Sequence, residues 1–385
     1  MDKKTNNWQI KKLEDLLDYI QPTKYIVKST DYSENYNIPV LTAGKSFILG
    51  KTNETEGIFE NAPVIIFDDF TTANKLVNFK FKVKSSAMKI LKPKNEDVNL
   101  LFVYYYMQTL RISFDTHKRY WISVFSKLPI PLPDSETQHA IVSKIEELFS
   151  ELDKGIAELK TAQQQLKTYR QSVLNSIVND KNLNSIESVI EKLDQGWSPK
   201  CLNEKSKSFN EWAVIKTSAV QFGRFNPDEN KILPKNVPPK EQHEILAGDI
   251  LITRAGPRVR VGVCCLVKKT RRRLINCDKV YRIKVRKEII LPEFFELILN
   301  TPFYQDEIEV MKSGISDSGL NLTKSKFLKI KIPLPPIEEQ HRIVQEIESR
   351  LSVADKMEQS IQESLQKAEA LRQSILKKAF CGELV

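Results

Sequence analysis

The chain repeats itself. Residues 125–178 and 327–380 align without a gap at an offset of 202 positions, and roughly 20 of the 54 paired positions are identical. Each copy opens on an apolar-proline element, Ile130-Pro131-Leu132-Pro133 or Ile332-Pro333-Leu334-Pro335, and passes through Gln138-His139 or Gln340-His341. Each then reaches Arg170-Gln171-Ser172 or Arg372-Gln373-Ser374. A long segment without such similarity precedes each copy. A chain ordered variable, shared, variable, shared presents two different surfaces on one pseudo-symmetric frame.

Within the shared segments the hydrophobic period is that of a helix. In the first copy apolar residues fall at Ile141, Ile145, Leu148, Leu152, Ile156, Leu159, Leu166, Tyr169, Val173 and Ile177, and the second repeats the stripe from Ile343 to Ile375. Ser135 with Gln138 fits a capping box just after Pro133, and Gly155 is a local weak point. Such a helix is about 60 Å long. A narrow stripe on so long a helix needs a partner, and each copy is the natural partner of the other. Antiparallel pairing would hold the variable regions at opposite ends of a rod.

The variable regions read as mixed structure. The first offers a short amphipathic stretch (Leu13, Leu16, Leu17, Ile20), strands at 63–67 and 79–83, and an aromatic helix over 100–110 whose Tyr104, Tyr105 and Tyr106 fit a core role. The second opens on the same pattern (Ile186, Val189, Ile190, Leu193) and offers strands at 212–216, 249–253, 261–267 and 280–285, with a helix at 294–299. The predicted fold class is α+β: two mixed domains, 1–130 and 181–332, separated by two long helical segments, 131–180 and 333–385, that form an antiparallel coiled coil with an internal pseudo-twofold repeat.

The net charge of +10 is concentrated: from Arg254 to Arg286 there are 12 Lys or Arg against one acid, Asp278. A patch of that density attracts phosphate backbones, and the bland alternative is a solvated basic turn at Arg271-Arg272-Arg273. The five cysteines form no CxxC pair, which points to reduced thiols in a cytoplasm. Met1–Lys12 is polar and no run of about 18 apolar residues occurs, so export and membrane spanning are not expected.

Catalytic signatures are missing. Gly44-Lys45-Ser46 resembles the tail of a phosphate loop, but Pro39 stands where the upstream glycine is required. No Gly-rich turn follows a predicted strand, and the acids of Pro227-Asp228-Glu229-Asn230-Lys231 sit side by side on a turn, unsuited to clamping a metal. His117, His139, His243 and His341 have no metal-ligand spacing. His139 and His341 repeat in the first helical turn, where the helix dipole disfavours imidazolium, so packing or partner contact is the better reading. Arg170 and Arg372 read either as partner contacts or as a solvated helix face. Recognition chemistry is present instead. A Gly-Pro turn in Thr253-Arg254-Ala255-Gly256-Pro257-Arg258-Val259-Arg260 displays three guanidinium groups, and His117-Lys118-Arg119-Tyr120-Trp121 interleaves basic and aromatic groups.

These residues resemble the specificity subunits of Type I restriction-modification systems. The carriers are the two Ile-Pro-Leu-Pro elements followed by Glu-x-Gln-His, the two long helices, the strand and loop Gly248 to Arg254, His117-Lys118-Arg119, and the terminal Ala379-Phe380-Cys381-Gly382-Glu383-Leu384-Val385. The resemblance implies two target recognition domains, each reading half of a split DNA sequence, and helices that fix the unread spacer. It also implies a non-catalytic chain that docks two methyltransferase subunits and is joined by motor-nuclease subunits, with methyl donor, ATP and Mg on those partners and no cofactor here. Expected DNA contacts are Lys45, Lys51, His117, Lys118, Arg119, Arg254, Arg258, Arg260, Lys268, Lys269, Arg271, Arg272 and Arg273. Expected partner contacts are Gln138, His139, Arg170, Gln340, His341 and Arg372. One departure stands out: Asp134-Ser135 in the first copy replaces Pro336-Ile337 of the second. The alternative is a coiled-coil adaptor whose basic patch meets acidic proteins or RNA; a stand-alone nuclease or methyltransferase lacks its motifs.

Overall fold

The structure, a computed structural model, describes residues 8–42, 46–110, 119–179 and 182–385. They form two compact units: one runs to Lys160 and resumes at Gln362, and the other is Thr161–Ile361. Each unit holds one variable domain and a portion of each long helix.

In the first unit Gln9–Lys12 pairs antiparallel with Pro129–Leu132, so the chain enters and leaves the variable domain side by side. Prolines are tolerated there because the ladder is short and has an open edge. Leu13–Leu16 then makes a single helical turn and Leu17–Ile20 extends as a strand. Leu13, Leu16 and Leu17 are all buried, so spacing that reads as one amphipathic stretch is a turn running into a strand. The main sheet runs Leu17–Ile20, Met88–Pro93, Val64–Asp68, Asn74–Val77, antiparallel throughout. A smaller sheet orders Ile48–Thr52, Ile38–Leu41 and Lys82–Val83, its last pairing parallel.

Only Lys82–Val83 of the expected strand at 79–83 joins a ladder. Lys82, which alternation assigns to the solvent face, is buried, and its Nζ lies 3.0 Å from the Glu54 carboxylate while donating to the carbonyl of Gly57 at 3.1 Å. Charge inside a domain persists only when paired in this way. The aromatic helix Leu100–Met107 is capped by Asn99, whose side chain accepts from the amides of Leu101 and Phe102 at 3.0 and 3.2 Å. Its tyrosines serve the core: Tyr105 meets Phe149 edge-on at 5.7 Å and Tyr106 meets Phe380 at 5.1 Å. Burial pushes the Tyr105 hydroxyl up to about 12.

The second unit repeats this plan where sequence similarity has run out. Leu183–Ser185 pairs with Lys331–Pro333, Ile186–Val189 makes the turn, and the main sheet runs Ile190–Gln195, Val280–Val285, Ile250–Thr253, Cys264–Leu266. Its smaller sheet orders Asn230–Ile232, Ala213–Ile215 and Leu274–Ile275, again with the last pairing parallel. Pro292–Leu299 stands where Leu100–Met107 stands in the first. The two variable domains are therefore one topology carrying different side chains.

The long helices are Ser135–Asn175 and Ile337–Phe380. In the first unit Ile141, Val142, Ile145 and Phe149, near the start of one, share a core with Ile375, Leu376, Ala379 and Phe380, at the end of the other. In the second unit Val173, at the end of the first, and Ile177, in the 3-10 turn Ser176–Asn179 that follows it, share a core with Val344 and Ile347 near the start of the second. Both pairings are antiparallel. The expected capping box does not form: Asp134 caps the first helix, accepting from the Thr137 amide and hydroxyl at 2.8 and 2.9 Å, and those bonds hold its carboxyl below the usual range. Gln138 is thereby released for another contact. No helix among the described residues is long and apolar enough to cross a membrane.

Candidate nucleic-acid interface

The basic run is dispersed by the fold. Arg282, inside it, is buried on strand Val280–Val285 and grips Asp194 with Nε and Nη2 at 3.1 and 2.9 Å, while donating to the carbonyls of Gln242 and Glu244 at 2.8 and 2.6 Å. Burial works to raise Asp194, and the bonds from Arg282 and Lys192 outweigh it, so the carboxyl is held below its ordinary range.

The loop after Ile250–Thr253 also differs from expectation. Arg254 folds inward, its Nε donating to the Asp278 carbonyl at 2.7 Å and its guanidinium lying 5.7 Å over the Tyr281 ring. Arg258 is paired with Glu309 and, at 3.0 Å, with Asp317, while Lys312 donates to its carbonyl at 2.9 Å. Arg260 is half-buried. Three guanidinium groups on one free loop is thus corrected to one brace, one ion pair and one partly available arginine, because acids at 309 and 317 fold back from distant sequence.

What does project is the turn from Lys268 to Arg273. Lys269 and Arg272 are exposed, and Lys268 pairs with Glu348 at 2.9 Å. Arg271 donates to the Ser206 hydroxyl at 2.8 Å and the Glu211 carbonyl at 3.0 Å. Arg273, held at φ 61°, reaches the Asn210 carbonyl at 2.5 Å. These two arginines support a loop over 205–211 rather than offer themselves to a ligand. That loop borders an open groove of about 1050 Å³ lined by Lys205, Lys207, Phe209 and Arg271 together with Glu204 and Asp228. Phe209 is 75% exposed two residues after Lys207, an aromatic face beside a basic group, while Lys205 is paired with Asp228 at 3.0 Å. A second recess of about 380 Å³ gathers Lys216, Lys231 and Lys279 beside Ser198, Thr217 and Asp278, with Lys216 also 3.5 Å from the Glu229 carboxylate. These lysines are too far apart in the chain for any linear pattern to join them.

In the first unit Lys51 is half-buried and pairs with Glu34 at 3.3 Å. Arg119 is exposed, but the aromatics after it are not: Trp121 is 2% exposed and meets Phe67 edge-on at 5.2 Å, so Tyr120 and Trp121 belong to the core. Lys45, His117 and Lys118 lie outside the described residues.

The repeated positions divide. His139 and His341 are exposed. Gln138 and Gln340 are 2% and 0% exposed, so neither is a surface for a partner, and both are spent inside the molecule. Arg170 and Arg372 are neither free nor merely solvated. Arg170 meets Asp355 and Glu358 at 2.6 and 2.8 Å across the helix pair, and Arg372 is paired with Asp153 while stacking 4.3 Å over Phe149. Asp153 and Asp355 are themselves equivalent under the 202-residue offset, so the same clasp occurs in each unit. Among the described residues no group of His, Cys, Asp and Glu is placed to hold a metal ion.

Each unit thus carries a domain of the same topology with a different surface, joined to a helix start that repeats Pro, Glu and Gln-His at matched positions. The family described as Type I restriction modification DNA specificity domain matches residues 5–161 and 200–367, and the chain belongs to it. It is similar to the specificity subunit of the Type I restriction enzyme EcoR124I/EcoR124II from Escherichia coli, 36% identical over 376 residues, covering 94% of this chain and 90% of that protein. Two solved structures share its fold at 18% identity. One is a chain from work on complex assembly and conformational transition of the type I R-M system, with TM-score 0.73 over 100% of both chains. The other is the HsdS subunit from Thermoanaerobacter tengcongensis, with TM-score 0.56 over 98% of this chain and 97% of that one.

Proposed function

We propose that this specificity subunit reads a split duplex DNA target, one half with each variable domain, while the paired helices keep the two readers in register. The observation that carries the reading is the common topology of the domains beneath unlike surfaces, since two addresses require different side chains presented in the same way. Lysine and arginine contacts to phosphates position the chain, and loop side chains read base edges. In the second domain Lys207, Lys269, Arg272 and Arg260, with Phe209, are the contacts the geometry favours; in the first it is Arg119, with Lys45, Lys51, His117 and Lys118 kept from the sequence.

The chain supplies no chemistry of its own. Methyltransferase subunits, two by the symmetry of the repeat, and motor-nuclease subunits bring methyl donor, ATP and Mg. Docking of partners on the helices is supported by a recess of about 530 Å³ lined by Ala162, Leu166, Tyr169, Val353, Met357 and Ile361, in which Tyr169, Val353 and Met357 are 44%, 49% and 53% exposed. Exposed His139 and His341 are further candidates. A cytoplasmic setting agrees with five unpaired cysteines.

The test is domain exchange. Replacing residues 1–130 with the corresponding domain of a relative and mapping methylated adenines genome-wide should change one half of the split motif. Changes in both halves, or methylation at an unsplit site, would refute the reading.

A further inference from the structure

Gln138 and Gln340 make the same set of bonds in the two units. The Gln138 side-chain oxygen accepts from the Asn99 amide at 3.0 Å, and its nitrogen donates to the carbonyls of Asp97 at 3.4 Å and Pro133 at 3.0 Å. The Gln340 oxygen accepts from the Leu291 amide at 2.9 Å, and its nitrogen donates to the carbonyls of Ile289 at 2.9 Å and Pro335 at 2.8 Å. In each case the partners on the variable domain are an amide and the carbonyl two residues before it, in the loop that leads into a short helix, Leu100–Met107 or Pro292–Leu299. The third partner is the carbonyl of the proline that closes the Ile-Pro-Leu-Pro element.

Every bond goes to main chain. The loops concerned, Asp97-Val98-Asn99 and Ile289-Ile290-Leu291, have no residue in common at matched positions. A primary amide offers an acceptor and two donors in one plane, one donor more than a peptide group, and so docks on a backbone edge whatever side chains that loop carries. Being buried, both glutamines are shielded from competing water. The arrangement is a socket on the shared helix that accepts a domain of any sequence provided its loop follows the same path.

We propose that Gln138 and Gln340 are positioning residues that set the angle of each reading domain on its helix, and through that angle the spacer length the protein accepts between half-sites. This rests on the reading function proposed above. Neither glutamine touches DNA; each acts through the loop it holds. Loosening one joint lets one domain swing, so targets with a spacer one base pair too long or too short become tolerable.

The experiment uses the full chain assembled with its methyltransferase subunits and three duplexes carrying the mapped target with its native spacer, one base pair fewer and one more. Gln138→Leu or Gln340→Leu should lower the preference for the native spacer by about tenfold, the size of one base-pair mismatch, with base choice in both half-sites unchanged. Where the leucine variant does not fold, Gln138→Met or Gln340→Met keeps the unbranched length of the side chain without its amide, and carries the same expectation. A variant that weakens binding to all three duplexes equally shows a merely structural glutamine and overturns the proposal. Wild-type protein without preference for any split target overturns the reading function itself, and is distinguishable because it needs no variant.

Discussion

Two arginines ten residues apart in the same basic run should give opposite phenotypes when replaced by alanine. Arg282 is 7% exposed and faces Asp194 and, at 4.0 Å, Asp249, which is 2% exposed, so R282A leaves the buried Asp249 carboxyl and two carbonyls without their cation, while Asp194 keeps Lys192 at 3.0 Å. Breaking such a pair from one side costs about 3–5 kcal/mol, against a total stability of about 5–15 kcal/mol. For a unit of this size each kcal/mol moves the midpoint by about 2–4 °C, so Tm should fall by about 6–20 °C. Arg272 is exposed, and R272A should leave stability within about 0.5 kcal/mol of wild type. Its effect belongs in binding: as a phosphate contact it should reduce the slope of log K against log salt by about 1 on random duplex DNA. Melting followed by circular dichroism, and salt titrations of the full chain, measure the two quantities. The reasoning is wrong if R282A melts within about 2 °C of wild type while flattening the salt slope, since Arg282 would then be a DNA contact and not a strut.

The interhelical clasps should be worth about 0.2–1 kcal/mol each, because their acids are exposed and screened; R372D should destabilise, D153R/R372D should recover most of the loss, and a double-mutant cycle on urea midpoints checks it. Burial pushes the Cys265 and Cys277 thiols up to about 12 and about 11 and holds Cys264 well above the ordinary thiol range, so a thiol reagent applied to native protein near pH 8 should modify Cys201 and Cys381 alone, as read by mass spectrometry. Since those folded values lie above the unfolded one, the buried thiols' contribution to stability is complete below about pH 8.5 and is lost as pH rises through the folded values, which melting curves across alkaline pH would show.

The architecture was legible because it rests on periodicities that survive in a linear string. Repeated prolines at the mouth of each helix, and stripes with no other surface to bury against, leave few alternatives to two helices pairing with each other. The common topology of the variable domains was not legible, because a β-sheet is specified by which faces are apolar and not by which apolar residues occur; Leu17–Ile20 and Ile190–Gln195 fill the same place with different side chains. The cap of the first long helix lies one residue before the one its sequence pattern marks, for a related reason. A Ser followed three residues later by Gln satisfies the capping pattern, but Asp134 caps better with a charged acceptor, and the glutamine was committed to a loop about 40 residues earlier in the chain.

The candidate site was less legible, and the cause is specific to charge. A count along the chain treats each arginine as surface, whereas folding brings acids from elsewhere to meet them: Asp194 to Arg282, Asp317 and Glu309 to Arg258, Glu348 to Lys268. A buried arginine must be matched or the domain does not close, so the densest basic segment of a folded chain is also where structural pairs accumulate. The converse follows for Lys216, Lys231 and Lys279, which are sparse in sequence yet converge on one recess. Phosphate attraction depends on charge that is both clustered in space and left unpaired, and by that standard the turn bearing exposed Lys269 and Arg272 outranks both the groove beside Phe209, where Lys205 meets Asp228 at 3.0 Å, and the Gly-Pro loop, where Arg254 and Arg258 are spent on contacts within the fold.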